Sequence, residues 1–187
     1  MPMNRLETDL STFDNSWYGA GAPGILRVFW YLTNAWFLKS WIPGSLWRKI
    51  LLQLYGAKVG KGVVIKPHVN IKYPWNLRIG DNSWIGEGAW IDNLGKVKIG
   101  ANCCISQGAL LLCGNHNYKK SSFDLIVGDI TLENGVWVGA TSIVTGGVTL
   151  RSHSVLSAGS IATSELEAYT IYSGSPAIKV REREINN

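Results

Sequence analysis

Of the three histidines, His116 alone lies outside regular sequence, in the run Leu112-Cys113-Gly114-Asn115-His116-Asn117-Tyr118-Lys119-Lys120. Imidazole is the side chain that exchanges a proton within the physiological pH range, so a loop histidine beside a groove suits a general base for an alcohol nucleophile. Cys113, three residues earlier, allows a Cys/His nucleophilic pair in principle. A CxxH spacing in a loop carries little weight, however, and buried free cysteines are usually inert. His68 and His153 occupy matching positions in regular repeats and read as outward-facing turn residues. Three scattered histidines with no HxxxH or HxxxxH pair do not make a ligand set, so no metal is expected.

The elements that must hold this loop are legible as a period of six. Aliphatic residues recur at Val59, Ile65 and Ile71, then at Ile79, Ile85 and Ile91, then at Ile99, Ile105 and Leu111, and finally at Leu132, Val138, Val144, Leu150 and Leu156. Small or β-branched residues accompany them, among them Val63, Ser83, Ala89, Cys103, Ser142 and Ser154. A period of six is neither the 3.6 of a helix nor a strand alternation. It is the signature of a parallel β-helix built from hexapeptides, an all-β solenoid in which each hexapeptide forms one side of a triangular coil. Glycines directly after the aliphatic residue (Gly60, Gly80, Gly86, Gly100, Gly139) are expected to ease tight backbone geometry there. Such coils need caps at both ends. Two two-residue slips and one long excursion, residues 112–131, interrupt the period, and a long loop leaving a rigid solenoid is where function concentrates.

The first 57 residues differ in kind. An apolar run from Ile25 to Trp41 ends at Pro43-Gly44; Ser45 then offers an N-cap to a helix with Leu46, Trp47, Ile50, Leu51 and Leu54 at helical spacing. Only eleven uncharged residues separate Arg27 from Lys39, too few for a membrane span of about 20. The run must nevertheless be covered, by the rest of the chain, a headgroup layer or a neighbouring subunit, the last being preferred. Between Asp14 and Asp81 there is no acidic residue and there are nine basic ones, while five of the nine tryptophans (Trp17, Trp30, Trp36, Trp41, Trp47) lie in the first quarter of the chain. A solvated basic face over an aromatic core explains this most simply; an anionic partner such as a membrane surface is the alternative. Three cysteines are an odd number and argue against a disulfide framework and for a reducing compartment. With no secretory signal pattern, the chain reads as cytoplasmic, with peripheral contact at the inner membrane as an option. No groove-reading motif supports nucleic-acid binding. The resulting division is 1–57, an N-terminal arm and helical cap, and 58–187, the β-helix with its catalytic loop 112–131 and a short C-terminal tail.

Gly62-Val63-Val64-Ile65-Lys66-Pro67, Trp84-Ile85-Gly86-Glu87-Gly88, Trp90-Ile91-Asp92-Asn93-Leu94 and Ile105-Ser106-Gln107-Gly108 resemble the left-handed β-helix acyltransferases of the hexapeptide-repeat superfamily. With Asn34-Ala35-Trp36-Phe37 they look like the colanic-acid biosynthesis O-acetyltransferases of exopolysaccharide clusters. The resemblance implies left-handed coils, an acetyl-CoA-dependent transferase, and a homotrimer with sites between neighbouring subunits. It implies that His116 deprotonates the acceptor, which attacks the thioester directly, and that Asp92 and Asn93 contact a sugar acceptor. Trp137, Gly139 and Ala140 would line the pantetheine tunnel, the Ala140 amide serving as oxyanion donor, with Ala158, Gly159 and Thr163 as further cofactor contacts. Three departures stand out: Asn117 follows the histidine where Asp is common; Ser164 replaces a commonly basic residue, for which Arg181 or Arg183 would substitute; and Lys179 is displaced by one position. Two alternatives remain at this stage, N-acetylation of an amino sugar or small amine, and a non-catalytic β-helix scaffold.

Overall fold

The computed structural model describes residues 6–186; residues 1–5 of the arm and residue 187 of the tail lie outside the described residues. Short parallel strands stack into a solenoid of about six turns with three faces. Face A stacks the strands of Val59, Ile79, Ile99, Leu132 and Leu150. Face B stacks those of Ile65, Ile85, Ile105, Val138, Leu156 and Tyr172. Face C stacks those of Ile71, Ile91, Leu111, Val144 and Ala162. Nearly all of these side chains are buried, as are the small residues two positions earlier, from Val63 and Val69 to Ser154 and Ser160. The period of six is therefore two inward residues per side, one large and one small, repeated three times per coil.

The outward residues of the same strands differ by face. Face A presents Lys58, Arg78, Lys98, Thr131 and Thr149 in register. Face B presents Val64, Trp84, Cys104, Trp137, Val155 and Ile171; face C presents Asn70, Trp90, Leu110, Ile143 and Ile161. One face is thus polar and two are largely apolar.

The glycines have a different cause from the one expected. Gly60, Gly80, Gly86, Gly100 and Gly139 do not have positive φ; a Cβ on any of them would collide with backbone or side-chain atoms of the adjacent coil. Close stacking is what excludes a side chain there. The left-handed residue sits at the next turn position, at Gly62, His68, Asn82, Gly88, Asn102, Gly108, Gly135, Thr141, Gly147, His153 and Gly159. His68 and His153 are therefore turn residues; His68 Nδ1 lies 3.0 Å from the Lys39 carbonyl, and His153 stacks on Tyr169.

Helices α1 (Gly24–Thr33) and α2 (Leu46–Leu54), joined through a π-helical turn over Asn34–Leu38, close the first coil. Trp30 is buried and its Nε1 donates to the Ile71 carbonyl at 2.9 Å. Ser45 does not cap α2 with its side chain; its hydroxyl exchanges hydrogen bonds with Ile65 O (3.1 Å) and Ile65 N (3.0 Å), closing the open edge of face B. Arg48 is fully buried and donates to the carbonyls of Leu38, Ser40, Ile42 and Gly44, which fixes the interhelical loop. At the other end an antiparallel pair, Thr170–Gly174 and Ala177–Glu182, covers the last edge of face B.

Candidate active site

Both slips and the excursion fall at the same corner, between face C and face A: after Ile71, after Ile91 and after Leu111. This stacking is what assembles the site. Asp92 lies in register with Leu112 directly above it, and the Cys113 N–H donates to the Asp92 carbonyl at 3.2 Å. The loop then leaves as a hairpin in which Gly114–His116 pairs with Leu125–Val127, His116 opposite Leu125.

His116 is half-buried between aromatic rings. It stacks on Phe123 (centroids 4.4 Å apart, planes 8° apart) and lies tilted against Phe13 (5.7 Å). Its Nδ1 is 2.9 Å from the Phe123 carbonyl oxygen. A carbonyl only accepts, so Nδ1 carries the proton and the neutral ring keeps its lone pair on Nε2, the arrangement a general base requires. Asn117 takes no part in this: its Oδ1 accepts from Lys119 N (3.1 Å) and its N–H donates to Asp124 O (2.8 Å). The Phe123 carbonyl is the group that orients the ring here.

Asp92 is 7% exposed; Lys72 Nζ stands 2.9 Å from its Oδ1 but out of hydrogen-bond alignment, leaving that buried oxygen without an aligned donor. Asn93 is fully buried, and its amide is bonded at both ends to the Tyr73 backbone, so its side chain holds the corner together. Cys113 is 1% exposed and burial pushes its thiol up to about 12. It is protonated at neutral pH and is no nucleophile.

The remaining expected residues lie elsewhere. Trp137, half-exposed with its Nε1 donating to Ser106 Oγ at 2.9 Å, stands on face B. Gly139 and Ala140, with Ala158 and Gly159 one coil further on, form the corner between faces B and C. The Ala140 carbonyl accepts from Gly159 N at 2.9 Å, while its N–H meets no acceptor among the described residues. Thr163 is exposed just after face C, two coils beyond the loop. Arg181 is exposed on the terminal strand opposite Ile171. Arg183 donates to the carbonyls of Gly135 and His153, both at 3.0 Å, and so is occupied by the fold. One chain thus places Asp92 and His116 on one corner and Ala140 and Gly159 on another.

The sequence reading missed the arm's part in the site. The Asp9 N–H donates to Ser121 O (2.8 Å), Phe13 backs His116, Trp75 Nε1 donates to Ala20 O (2.6 Å), and Tyr18 OH donates to Leu94 O (2.8 Å). Burial, with smaller contributions from Tyr73 and Asp92, pushes the Tyr18 phenol up to about 12. No periodicity marks these residues; the aromatic spacing Phe13, Trp17, Tyr18 was the only available signal. Among the described residues there is no group of three or more His, Cys, Asp or Glu placed to hold a metal, and no helix long and apolar enough to cross a membrane.

No protein-family model matches the chain. Individual relatives do. The colanic acid biosynthesis acetyltransferase WcaF of Escherichia coli (strain K12), a name that carries a provisional qualifier, is 36% identical over 177 residues, 94% of this chain and 97% of that protein. The galactoside O-acetyltransferase of E. coli is 30% identical over 138 residues, 72% of this chain and 68% of that one. Among solved structures, the hexapeptide-repeat acetyltransferase VCA0836 of Vibrio cholerae in complex with acetyl coenzyme A superposes with a TM-score of 0.77. It is 21% identical and covers 86% of this chain and 88% of that one, a likeness of fold. The chain belongs to the hexapeptide-repeat acetyltransferases and is WcaF-like.

Proposed function

We propose that this protein transfers an acetyl group from acetyl-CoA directly to a sugar hydroxyl, with His116 as general base. The observation that carries the proposal is the His116 Nδ1 contact to the Phe123 carbonyl, which leaves Nε2 as the free base on the loop that emerges next to Asp92. Nε2 takes the acceptor proton as the acceptor oxygen bonds to the thioester carbon. The Ala140 N–H receives the resulting oxyanion. Collapse breaks the carbon–sulfur bond, and the thiolate of CoA recovers the proton from the imidazolium. Acetyl-CoA lies along Trp137, Gly139, Ala140, Ala158, Gly159 and Thr163, with Arg181 toward its phosphates; the sugar lies at Asp92 and the adjoining Asn93 backbone.

Because His116 and Ala140 lie on different corners of one chain, the working site joins His116 of one protomer to Ala140 of its neighbour in a homotrimer. The apolar outward residues of faces B and C, which flank the Ala140 corner, supply the surface for that contact. Light scattering on the purified protein that gives a monomer would remove this part. Calorimetry with acetyl-CoA is expected to give one site per chain in the micromolar range; no heat at millimolar ligand would overturn the acetyl-CoA assignment. Transfer to hydroxyl acceptors, and not to amino sugars, separates O- from N-acetylation.

A membrane role follows from α1. Ile25, Phe29, Leu32 and Trp36 recur at helical spacing and are all exposed, beside Arg27 and Lys39. An apolar stripe with aromatic and basic neighbours suits peripheral docking of a cytoplasmic enzyme on an anionic bilayer. Co-sedimentation with anionic but not neutral liposomes is expected; its absence would discard docking.

A further inference from the structure

The arm meets each of the three interruptions of the coil in turn. After the first, Ala20 O accepts from Trp75 Nε1 at 2.6 Å; after the second, Tyr18 OH donates to Leu94 O at 2.8 Å. At the third, the His116 loop, Phe13 and Asp9 make the contacts. Residues 9–20 therefore run along the corner between faces C and A against the direction in which the coils advance, and they brace the loop from outside.

The loop has reason to need a brace. Both restraints that orient His116 from within it come from one residue, Phe123, through its carbonyl at 2.9 Å from Nδ1 and its ring at 4.4 Å. Phe123 has a φ of 52°, in the left-handed region, where a residue other than glycine stays only if its surroundings hold it. Inside the segment 117–124 the ties are local: Asn117 N to Asp124 O (2.8 Å), Phe123 N to Lys120 O (3.1 Å) and the Lys120–Asp124 ion pair (2.7 Å). That pair is solvent-exposed, and such pairs hold little. Among the described residues, one hydrogen bond reaches this segment from elsewhere in the chain, Asp9 N–H to Ser121 O at 2.8 Å. Asp9 is itself fixed, because its carboxylate caps the 3₁₀ turn Leu10–Thr12 by accepting from Ser11 N (3.0 Å) and Ser11 Oγ (2.6 Å). That turn delivers Phe13 to the imidazole, centroids 5.7 Å apart and planes tilted by 55°.

We propose that Phe13 is a positioning residue for acetyl transfer. Together with the Asp9–Ser121 bond it holds the loop so that the Phe123 carbonyl keeps the His116 proton on Nδ1 and leaves Nε2 as the basic nitrogen. The proposal rests on the reading of His116 as general base. No residue of the turn Leu10–Thr12 is buried, so this part of the arm adds little to the coils and its effect falls on the loop.

The test is heteronuclear NMR of the full-length protein, reading which ring nitrogen of neutral His116 carries the proton. The parent is expected to hold it on Nδ1. Phe13→Ala is expected to move the ratio of the two tautomers about fivefold toward Nε2–H, the change that one ordinary hydrogen bond supports. Phe13→Tyr, which keeps the ring, should restore the parent ratio. Leu10→Ala, which truncates an exposed side chain of the same turn, should leave the ratio unchanged. With methyl β-galactoside as acceptor, Phe13→Ala should lower kcat about 10- to 100-fold, with KM for acetyl-CoA and thermal melting close to the parent's. An unchanged tautomer ratio in Phe13→Ala, an equal change in Leu10→Ala, or an unchanged kcat in Phe13→Ala overturns the proposal. A parent that carries the proton on Nε2, or turnover that survives His116→Ala, defeats the general-base reading instead, so the two failures are told apart.

Discussion

Replacing His116 with alanine separates chemistry from architecture. The side chain makes one hydrogen bond, Nδ1 to Phe123 O at 2.9 Å, and stacks on Phe123 at 4.4 Å. Losing a hydrogen bond of this kind costs about 1 kcal/mol, and the aromatic contact about 0.5–1.5 kcal/mol. The fold should therefore lose about 2 kcal/mol from a reserve of about 5–15 kcal/mol and remain folded at 25 °C. A positioned general base contributes roughly 10²–10⁴ in rate, which is about 3–5 kcal/mol of barrier. Acetyl-CoA affinity should hold, because in the proposed site the donor's contacts are Trp137, Gly139, Ala140, Ala158, Gly159 and Thr163, and His116 acts on the acceptor hydroxyl. The assay is acetyl transfer at saturating acetyl-CoA, alongside calorimetric donor binding and thermal melting. Expected are a kcat lower by 10²–10⁴, a modest drop in Tm, and a donor Kd within threefold of the parent. A kcat within threefold of the parent, in a protein that still binds acetyl-CoA, would refute His116 as the base.

Other substitutions test the frame around it. Cys113→Ala should keep kcat within threefold, and iodoacetamide at pH 8 should leave Cys113 unmodified in the folded protein. A thiol pushed to about 12 exposes only about one part in 10⁴ as thiolate there, and the fraction rises only as pH approaches that value; rapid alkylation with loss of activity would reverse this. Gly139→Ala would place a Cβ 2.8 Å from the Leu156 carbonyl and closer still to the Ala158 amide. It should lower stability by about 1–3 kcal/mol, as overpacking does, detectable as a shifted urea midpoint with unchanged slope. Arg48→Met would strip the donor from four carbonyls, of Leu38, Ser40, Ile42 and Gly44. A loss of about 3–5 kcal/mol is expected, with hydrogen exchange accelerating first over residues 38–54; uniform exchange would show that Arg48 is not what docks the helical cap.

The solenoid was legible because its cause is local and repeated. Every hexapeptide obeys the same two constraints, a large and a small inward residue, so Ile65, Ile85 and Ile105 announce one another at intervals of twenty. What the period could not convey was which of its glycines bends the chain. Gly80 and Gly86 are small because another coil presses on them, whereas Asn82 and Gly88 are the left-handed residues. Adjacent positions in one turn satisfy different demands, and composition alone does not separate them.

The candidate site was legible in part for the same reason. The interruptions after Ile71 and Ile91 are two residues each and the one after Leu111 is far longer, but all occur at the same point of the coil, so stacking alone brings Asp92 beneath the His116 loop. That much follows from counting residues. The contributions of Phe13 and Tyr18 do not, because they are set by contacts 103 and 76 positions away in the chain, with His116 and Leu94, and no repeat links the two ends. A cleft beside α1 is of the same kind: Arg27 and Lys39 appear in the sequence as two members of a long basic segment, and only the packing of α1 on face C makes them line one cleft with Asp92. A repeat fixes where a loop emerges. What faces that loop is decided by segments outside the repeat, here the arm, through Phe13 against His116 and Asp9 against Ser121.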